Sequence, residues 1–338
     1  MERTGIQVAS RDDASPASVV EFAQRAEALG FETCWVGESW GREAFGVLTM
    51  IGCGTSRIQL GTGIVNVFSR SPGLMAQSIA TLDEISGGRA ILGLGSSGVN
   101  VIEHWQGLTY ERPIQRIREY IEIVRMILRG ERLNYDGKLF HMARGFRLPF
   151  KPLRADVPIY LATLAGRSLR QTGELADGWL PIYFCPEKFN DLTAPMREGA
   201  VAAGRDFKAI TISPYILTAV SHDGEDARAL MRAHVAFYIG GMGVYYHKLI
   251  SGYGFAEEAD AVRAAWAAGD RTVAARGVTD AMLNAFTISG TASACRERLA
   301  AYRAAGVQAP VLSMPHGAPE AMVRETIEAL APARQPVA

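Results

Sequence analysis

The stretch from Arg57 to Gly98 limits most strongly what this chain can become. Ile58 to Val65 is a short run of β-branched residues and leucine. After Pro72, the apolar residues Leu74, Ile79, Leu82 and Ile85 fall at helical spacing, and Ala90 to Leu94 form a second apolar run. This reads as strand, helix, strand. Gly87-Gly88 closes the helix where left-handed dihedrals are cheap, and the connection is long enough to return the second strand parallel to the first. Both strands of this βαβ unit end in glycine, at Gly61 and Gly63 and at Gly93 and Gly95. In parallel α/β proteins the carboxyl ends of the strands line the ligand crevice. Taken alone, the glycines fit tight turns and close packing as well as a ligand site.

The rest of the chain repeats this alternation. A strand over Gly5 to Ala9 is followed by a helix that Pro16 opens and Gly30 stops, with Val19, Phe22, Ala23, Ala26 and Leu29 on its apolar side. A strand over Thr33 to Gly37 leads into Glu38-Ser39-Trp40, and helices are expected at Ala44 to Gly54 and Pro113 to Leu128. Within residues 130–155, Tyr135-Asp136-Gly137-Lys138 reads as a type I′-like hairpin turn. Further strands are expected at Val157 to Ala162, Gly178 to Tyr183, Ile210 to Val220 and Ala309 to Ser313. Helices follow at Pro186, at Ala292 to Ala305 and at Pro319 to Leu330, and residues 223–286 are mostly helical. Eight strand–helix repeats predict an α/β protein of the TIM (β/α)8 barrel type rather than an open sheet. The expectation is a single domain over 1–331, with insertions at about 99–112, 130–155 and 223–286 and a flexible tail at 332–338.

Composition removes several function classes. The chain has 338 residues and 48% hydrophobic content, enough for a large core, and 35 basic residues balance 35 acidic ones. No net field steers it to nucleic acid or an anionic membrane. No apolar run approaches a membrane span and no signal-peptide pattern is present, so a cytoplasmic protein with a small-molecule substrate is expected. Cys34, Cys53, Cys185 and Cys295 are too scattered for a metal cluster, and the six histidines form no paired motif; a metal site is not expected.

The order Gly-Thr-Gly-Ile-Val-Asn, Ser-Pro, Ala-Thr-Leu-Asp-Glu-Ile-Ser-Gly-Gly-Arg and Leu-Gly-Leu-Gly resembles the luciferase-like monooxygenase superfamily. It is more closely similar to the deazaflavin (F420)-dependent branch, and within it to the methylenetetrahydromethanopterin reductase group. Gly277-Val278-Thr279-Asp280-Ala281-Met282 and Gly290-Thr291 extend the resemblance over nearly the whole chain. The resemblance implies a barrel with insertions, an F420-dependent oxidoreductase acting as a reductase, and a homo-oligomer. FMN-dependent monooxygenation and non-catalytic flavin binding are the alternatives.

For the cofactor, the resemblance implies a ring floor at a non-proline cis peptide, placed here at Gly63-Ile64 and flanked by Thr62 and Asn66. The phosphate site is expected at Thr163, Leu164, Ala165, Gly166, Arg167 and Ser168, where amides open a helix, with Gly95, Ser96 and Ser97 adding donors. Relatives carry a Gly-Pro pair where this chain has Ala165-Gly166. They also carry an Asp-His pair where this chain has Glu38-Ser39, and serine does not titrate near neutral pH. Glu38 is therefore the candidate acid, its proton affinity raised by Trp40, Trp105 and Tyr183, or else a ligand of cofactor or loop amides. The substrate-pocket candidates are Trp40, Trp105, Tyr183, Tyr245 and His247, with packing in the core of the insertions as the alternative for Trp105, Tyr245 and His247.

Overall fold

The computed structural model describes residues 2–8, 15–164 and 166–332. Ala9, Ala165 and the tail beyond Pro332 lie outside the described residues. In chain order, β1 (Gly5–Gln7) is followed by α1 (Pro16–Leu29), β2 (Thr33–Val36), α2 (Ala44–Gly54), β3 (Gln59–Thr62) and β4 (Val65–Asn66). Next come α3 (Pro72–Ile85), β5 (Ala90–Gly95), α4 (Pro113–Leu128), β6 (Leu133–Asp136), β7 (His141–Phe146), β8 (Ile159–Ala162), α5 (Gly166–Leu175) and β9 (Gly178–Trp179). After α6 (Phe189–Ala202) come β10 (Thr211–Ile212), β11 (Tyr215–Val220) and five helices, α7 (Glu225–Gly241), α8 (Val244–Gly252), α9 (Ala256–Ala267), α10 (Arg271–Arg276) and α11 (Asp280–Phe286). The series ends with β12 (Thr287–Gly290), α12 (Ala292–Ala305), β13 (Val311–Ser313) and α13 (Glu320–Ala329).

The helix boundaries follow local chemistry. Ser15, Ser71 and Thr291 cap α1, α3 and α12 by accepting from the amides of Ser18, Leu74 and Ala294. Proline occupies the first helical turn of α1 and α3. Gly30 and Gly306 close α1 and α12 in left-handed conformations, at φ 93° and 115°.

The chain divides into two compact units. The first comprises Ser15–Leu180 and Thr193–Thr211. Its strands β2, β3, β5, β8 and β9 pair in parallel in that order, giving the α/β arrangement expected. Trp35, Leu48, Ile51, Leu60, Ile79, Leu92 and Ile121 are buried within it. A separate antiparallel hairpin, β6 with β7, occupies the expected insertion. The type I′ expectation fails there. Neither Asp136 nor Gly137 has the positive φ that turn requires. The loop instead spans 137–140 and closes with the Gly137 amide donating to the Phe140 carbonyl at 2.9 Å. Gly137 is needed because a Cβ there would overlap the Glu119 carboxylate.

The second unit comprises Pro181–Leu192, the residues described from Ile212 onward and the N-terminal strand. Here β1, β13, β11 and β12 pair in parallel. The strand β12 was not anticipated. Thr-Ile-Ser-Gly is short and carries no alternation, and it acquires strand geometry by lying along the carboxyl half of β11, Leu217 opposite Thr287 through Val220 opposite Gly290. The expected single strand from Ile210 to Val220 breaks at Ser213-Pro214, because proline cannot donate to a ladder. Met231, Val235, Ile239, Val262, Met282, Leu283 and Phe286 form the core that the five helices share.

In the first unit, α5 and α6 touch backbone to backbone. A Cβ on Gly173 would overlap the Met196 carbonyl oxygen, and one on Gly199 the Arg170 carbonyl oxygen. Backbone cannot swing aside as a side chain can. Gly173→Ala should therefore destabilise the protein by about 1–3 kcal/mol, as overpacking does, measured by urea unfolding. An unchanged midpoint would show that the two helices separate freely.

Candidate active site

The site is built where β3 stops pairing regularly with β5. Leu60 and Gly61 face Ala90 and Ile91, and Val65 and Asn66 face Leu94 and Gly95. Three residues, Thr62, Gly63 and Ile64, thus stand opposite two, Leu92 and Gly93. That extra residue is a bulge. The Thr62 hydroxyl bridges the gap, donating to the Gly93 carbonyl and accepting from the Gly93 amide, both at 2.8 Å. Gly93 must be glycine because a Cβ would overlap the Thr62 carbonyl oxygen, and Gly61 must be glycine because the Trp35 ring lies against it. Within the bulge the Gly63–Ile64 peptide is cis. The bulge is held to the β2 end by the Gly63 amide on the Val36 carbonyl (2.7 Å) and the Glu38 amide on the Ile64 carbonyl (3.1 Å).

Ile64 lies over the end of β5. A Cβ on Gly95 would come within 3.0 Å of the Ile64 Cδ1 and 3.5 Å of the Ala162 Cβ. Ile64, Gly95 and Ala162 together present an apolar surface at the carboxyl ends of three adjacent strands. Asn66 sits beside it, fully buried, its Oδ1 accepting from the amides of Phe68 and Ser69 and its Nδ2 left without a partner. Ser96 donates to the Ser97 carbonyl and accepts from the Tyr110 hydroxyl at 3.0 Å, and Ser97 adopts a left-handed conformation at φ 57°.

At the end of β8, Thr163 is buried and its hydroxyl meets that of Thr172 at 2.7 Å, while its carbonyl accepts from the Trp179 indole. Leu164 is half-buried, and Gly166 and Arg167 are exposed at the start of α5, followed by Ser168. The opening amides of this ten-residue helix are the chemistry an anion requires. Thr163 itself is committed to holding the loop.

Glu38 differs from the expectation. Its carboxylate is paired with both terminal nitrogens of Arg70, at 2.6 and 2.9 Å, and accepts from the Ala44 amide at 3.0 Å. Both oxygens are thus engaged as acceptors. The Glu38 hydrogen bonds push the Arg70 guanidinium upward, against desolvation. Trp40 and Trp105 are 55% and 63% exposed and wall in no carboxylate. Trp105 ends a short π-helical turn, Val101–Trp105, in the 99–112 segment. The expected aromatic pocket for a protonated Glu38 is replaced by an ion pair, because Arg70, in the sequence Phe-Ser-Arg-Ser-Pro, reaches back from the bulge loop. Arg70 is a residue that sequence reasoning missed.

In the second unit, Tyr183 is buried edge-on against Tyr238, Tyr246 and Phe286, at centroid distances of 5.4, 5.6 and 5.5 Å. Its hydroxyl has no partner, and burial raises it far above the ordinary phenol range. His234 stacks on Tyr238, and burial, aided by His316, lowers it to about 4. Tyr245 points outward, 55% exposed, and His247 pairs with Asp260 at 2.7 Å, tying α8 to α9. Of the substrate-pocket candidates, Tyr183 packs in a core, His247 braces two helices, and Trp40, Trp105 and Tyr245 are surface residues of their units.

Among the described residues, no group of three or more His, Cys, Asp or Glu side chains could hold a metal, and no helix is long and apolar enough to cross a membrane. The first unit thus joins a parallel α/β scaffold, a bulged strand end, an apolar platform and a helix-opening loop. The chain belongs to the luciferase-like monooxygenase family, which matches residues 3–309. It is 34% identical to a 5,10-methylenetetrahydromethanopterin reductase of Archaeoglobus fulgidus, over 88% of this chain and 89% of the relative. It is 30% identical to a Mycobacterium tuberculosis protein provisionally named coenzyme F420-dependent oxidoreductase, over 92% of this chain and 94% of that one. The solved structure of the F420-dependent tetrahydromethanopterin reductase from Methanopyrus kandleri superposes with a TM-score of 0.84 at 28% identity, covering 98% of each chain.

The Glu38–Arg70 pair is only 10% and 13% exposed, so breaking it strands a desolvated charge. Arg70→Met, which leaves Glu38 buried without a cation, is expected to lower stability by about 3 kcal/mol, and Glu38→Gln by less, because Arg70 keeps Glu43; the double variant should be far from additive. Urea unfolding of all three checks this. Additive losses would show that the two side chains act independently.

Proposed function

We propose that this protein is an F420-dependent oxidoreductase that transfers a hydride between the deazaflavin and a small organic substrate, acting as a reductase. The observation that carries the reading is the similarity to F420-dependent relatives over about nine-tenths of the chain, joined to a bulge platform that fits a planar ring. Ile64, Gly95 and Ala162 supply an apolar floor, and Asn66, accepting from the amides of Phe68 and Ser69, fixes the turn beside it. Gly63 belongs to the floor, Thr62 holds the bulge through Gly93, and Ser96 and Ser97 would add donors for the phosphate. Leu164, Gly166, Arg167 and Ser168 would hold the phosphate at the opening of α5.

When bound, F420 supplies the two-electron carbon donor. The chain's own part is positioning. The bulge fixes one face of the ring, and Glu38 acts through Arg70 to hold the loop that follows, so Glu38 is a positioning residue here. The same reading includes closure of the strands into a (β/α)8 barrel as one domain, a homo-oligomer, and a cytoplasmic setting.

Equilibrium fluorescence titration with F420 and with FMN decides the cofactor. The reading predicts tighter binding of F420 than of FMN. Micromolar FMN affinity with no response to F420 would contradict it and point to the oxygen-using members of the family.

A further inference from the structure

Arg116 stands in the first turn of α4, its guanidinium 4.6 Å from the Phe68 ring centroid and 5.4 Å from that of Phe140. Its Nε is buried and donates to nothing. Among the described residues no carboxylate pairs with it. Along the same helix Arg118 and Arg125 pair with Glu174 and Asp177, and Arg70 nearby pairs with Glu38 and Glu43. Two acids of this region, Glu119 and Glu38, are engaged elsewhere. Glu119 accepts from Gln115 and from the amides of Lys138, Leu139 and Phe140, and Glu38 is held by Arg70 and Ala44.

The two rings that sandwich Arg116 are themselves pinned. Phe68 is fixed by its amide on the Asn66 Oδ1 at 2.9 Å and by stacking on Tyr110, whose hydroxyl reaches Ser96. Phe140 is fixed by its amide on Glu119 at 3.0 Å. The cation is thus held by its faces with its edge uncommitted. Two further buried donors lie in the same loop, the Asn66 Nδ2 and the Ser69 hydroxyl, and neither has a partner. Aromatic faces attract a guanidinium but do not satisfy its N–H groups. Each buried donor left unmade costs about 1–3 kcal/mol, and such orphans are completed where a ligand brings acceptors.

We propose that Arg116, with Asn66 and Ser69, forms an oxyanion subsite that takes a carboxylate or phosphate group, built on residues different from the anion loop at the start of α5. A guanidinium edge, an amide and a hydroxyl are donor types that match the oxygens of such a group. The anion belongs either to the substrate or to the acidic tail of F420; only the second source rests on the cofactor proposed above.

The test is the Nε–H resonance of Arg116 in protein labelled with 15N-arginine, assigned by its loss in Arg116→Met. Inorganic phosphate is expected to shift this resonance saturably, at constant ionic strength. If F420 shifts it while the deazaflavin riboside lacking phosphate and glutamates does not, the anion is the cofactor's. Arg116→Met then weakens F420 binding about 10- to 100-fold and leaves riboside binding unchanged. If phosphate shifts the resonance and F420, though bound, does not, the subsite belongs to the substrate. A resonance that neither phosphate nor F420 moves overturns the proposal. Absence of any F420 binding would instead sink the cofactor reading, and the phosphate titration would still judge the subsite.

Discussion

The two hydrogen bonds between the Thr62 hydroxyl and the backbone of Gly93 carry the site. They replace a stretch of regular ladder, so β3 can take an extra residue and still rejoin β5 at Val65 and Asn66. Everything at the strand ends follows from that offset. Ile64 is thrown over Gly95, Asn66 is buried where it can pin the next turn, and Phe68 and Ser69 hang from Asn66. The absence of a Cβ at Gly93 is the condition for the whole arrangement, since the Thr62 carbonyl occupies that space.

The two ends of the first unit's strands use polar groups differently. At the amino ends, Arg89 donates to the carbonyls of Ser86, Ile58, Gly52 and Thr55 and to the Thr55 hydroxyl. Glu27 accepts from three successive amides, Ser56 to Ile58; burial opposes its charge, and these bonds outweigh burial and lower its proton affinity. Asp83, fully buried, is gripped by Arg154 and the Ala90 amide, which anchors the exit of the 130–155 segment. These groups have partners throughout, as a stabilising face should. At the carboxyl ends, Asn66, Ser69 and Arg116 each keep a buried donor unused. The contrast between a saturated face and an unsaturated one is what the oxyanion-subsite proposal rests on.

Much of the fold was legible because its signals are local. Proline and serine or threonine caps marked the starts of α1, α3 and α12, whereas the glycine pairs at 61/63 and 93/95 fitted packing as well as a ligand site, and the Gly63–Ile64 ring floor was expected from the family resemblance alone. What was not legible depends on distant partners. The strand β12 exists only alongside β11, and the break at Pro214 matters only within a ladder. Glu38 was read beside Trp40, Trp105 and Tyr183, whereas Arg70, thirty-two residues on, is its partner. The orphan donors could not be seen at all, because an unpaired group is defined by what fails to reach it.

The central claim is that Ile64 over Gly95 is a floor for a ring and not merely a packed contact. A side chain at Gly95 meets the movable Ile64, whereas one at Gly93 meets backbone. F420 affinity of Gly95→Val, measured by fluorescence titration beside its urea unfolding, tests this most directly. The account predicts at least about a 10-fold loss of affinity, or ~1.4 kcal/mol, with the displaced Ile64 entering the ring space and a smaller loss of folding stability. Unchanged F420 affinity in a destabilised Gly95→Val protein would contradict it and return these glycines to packing alone.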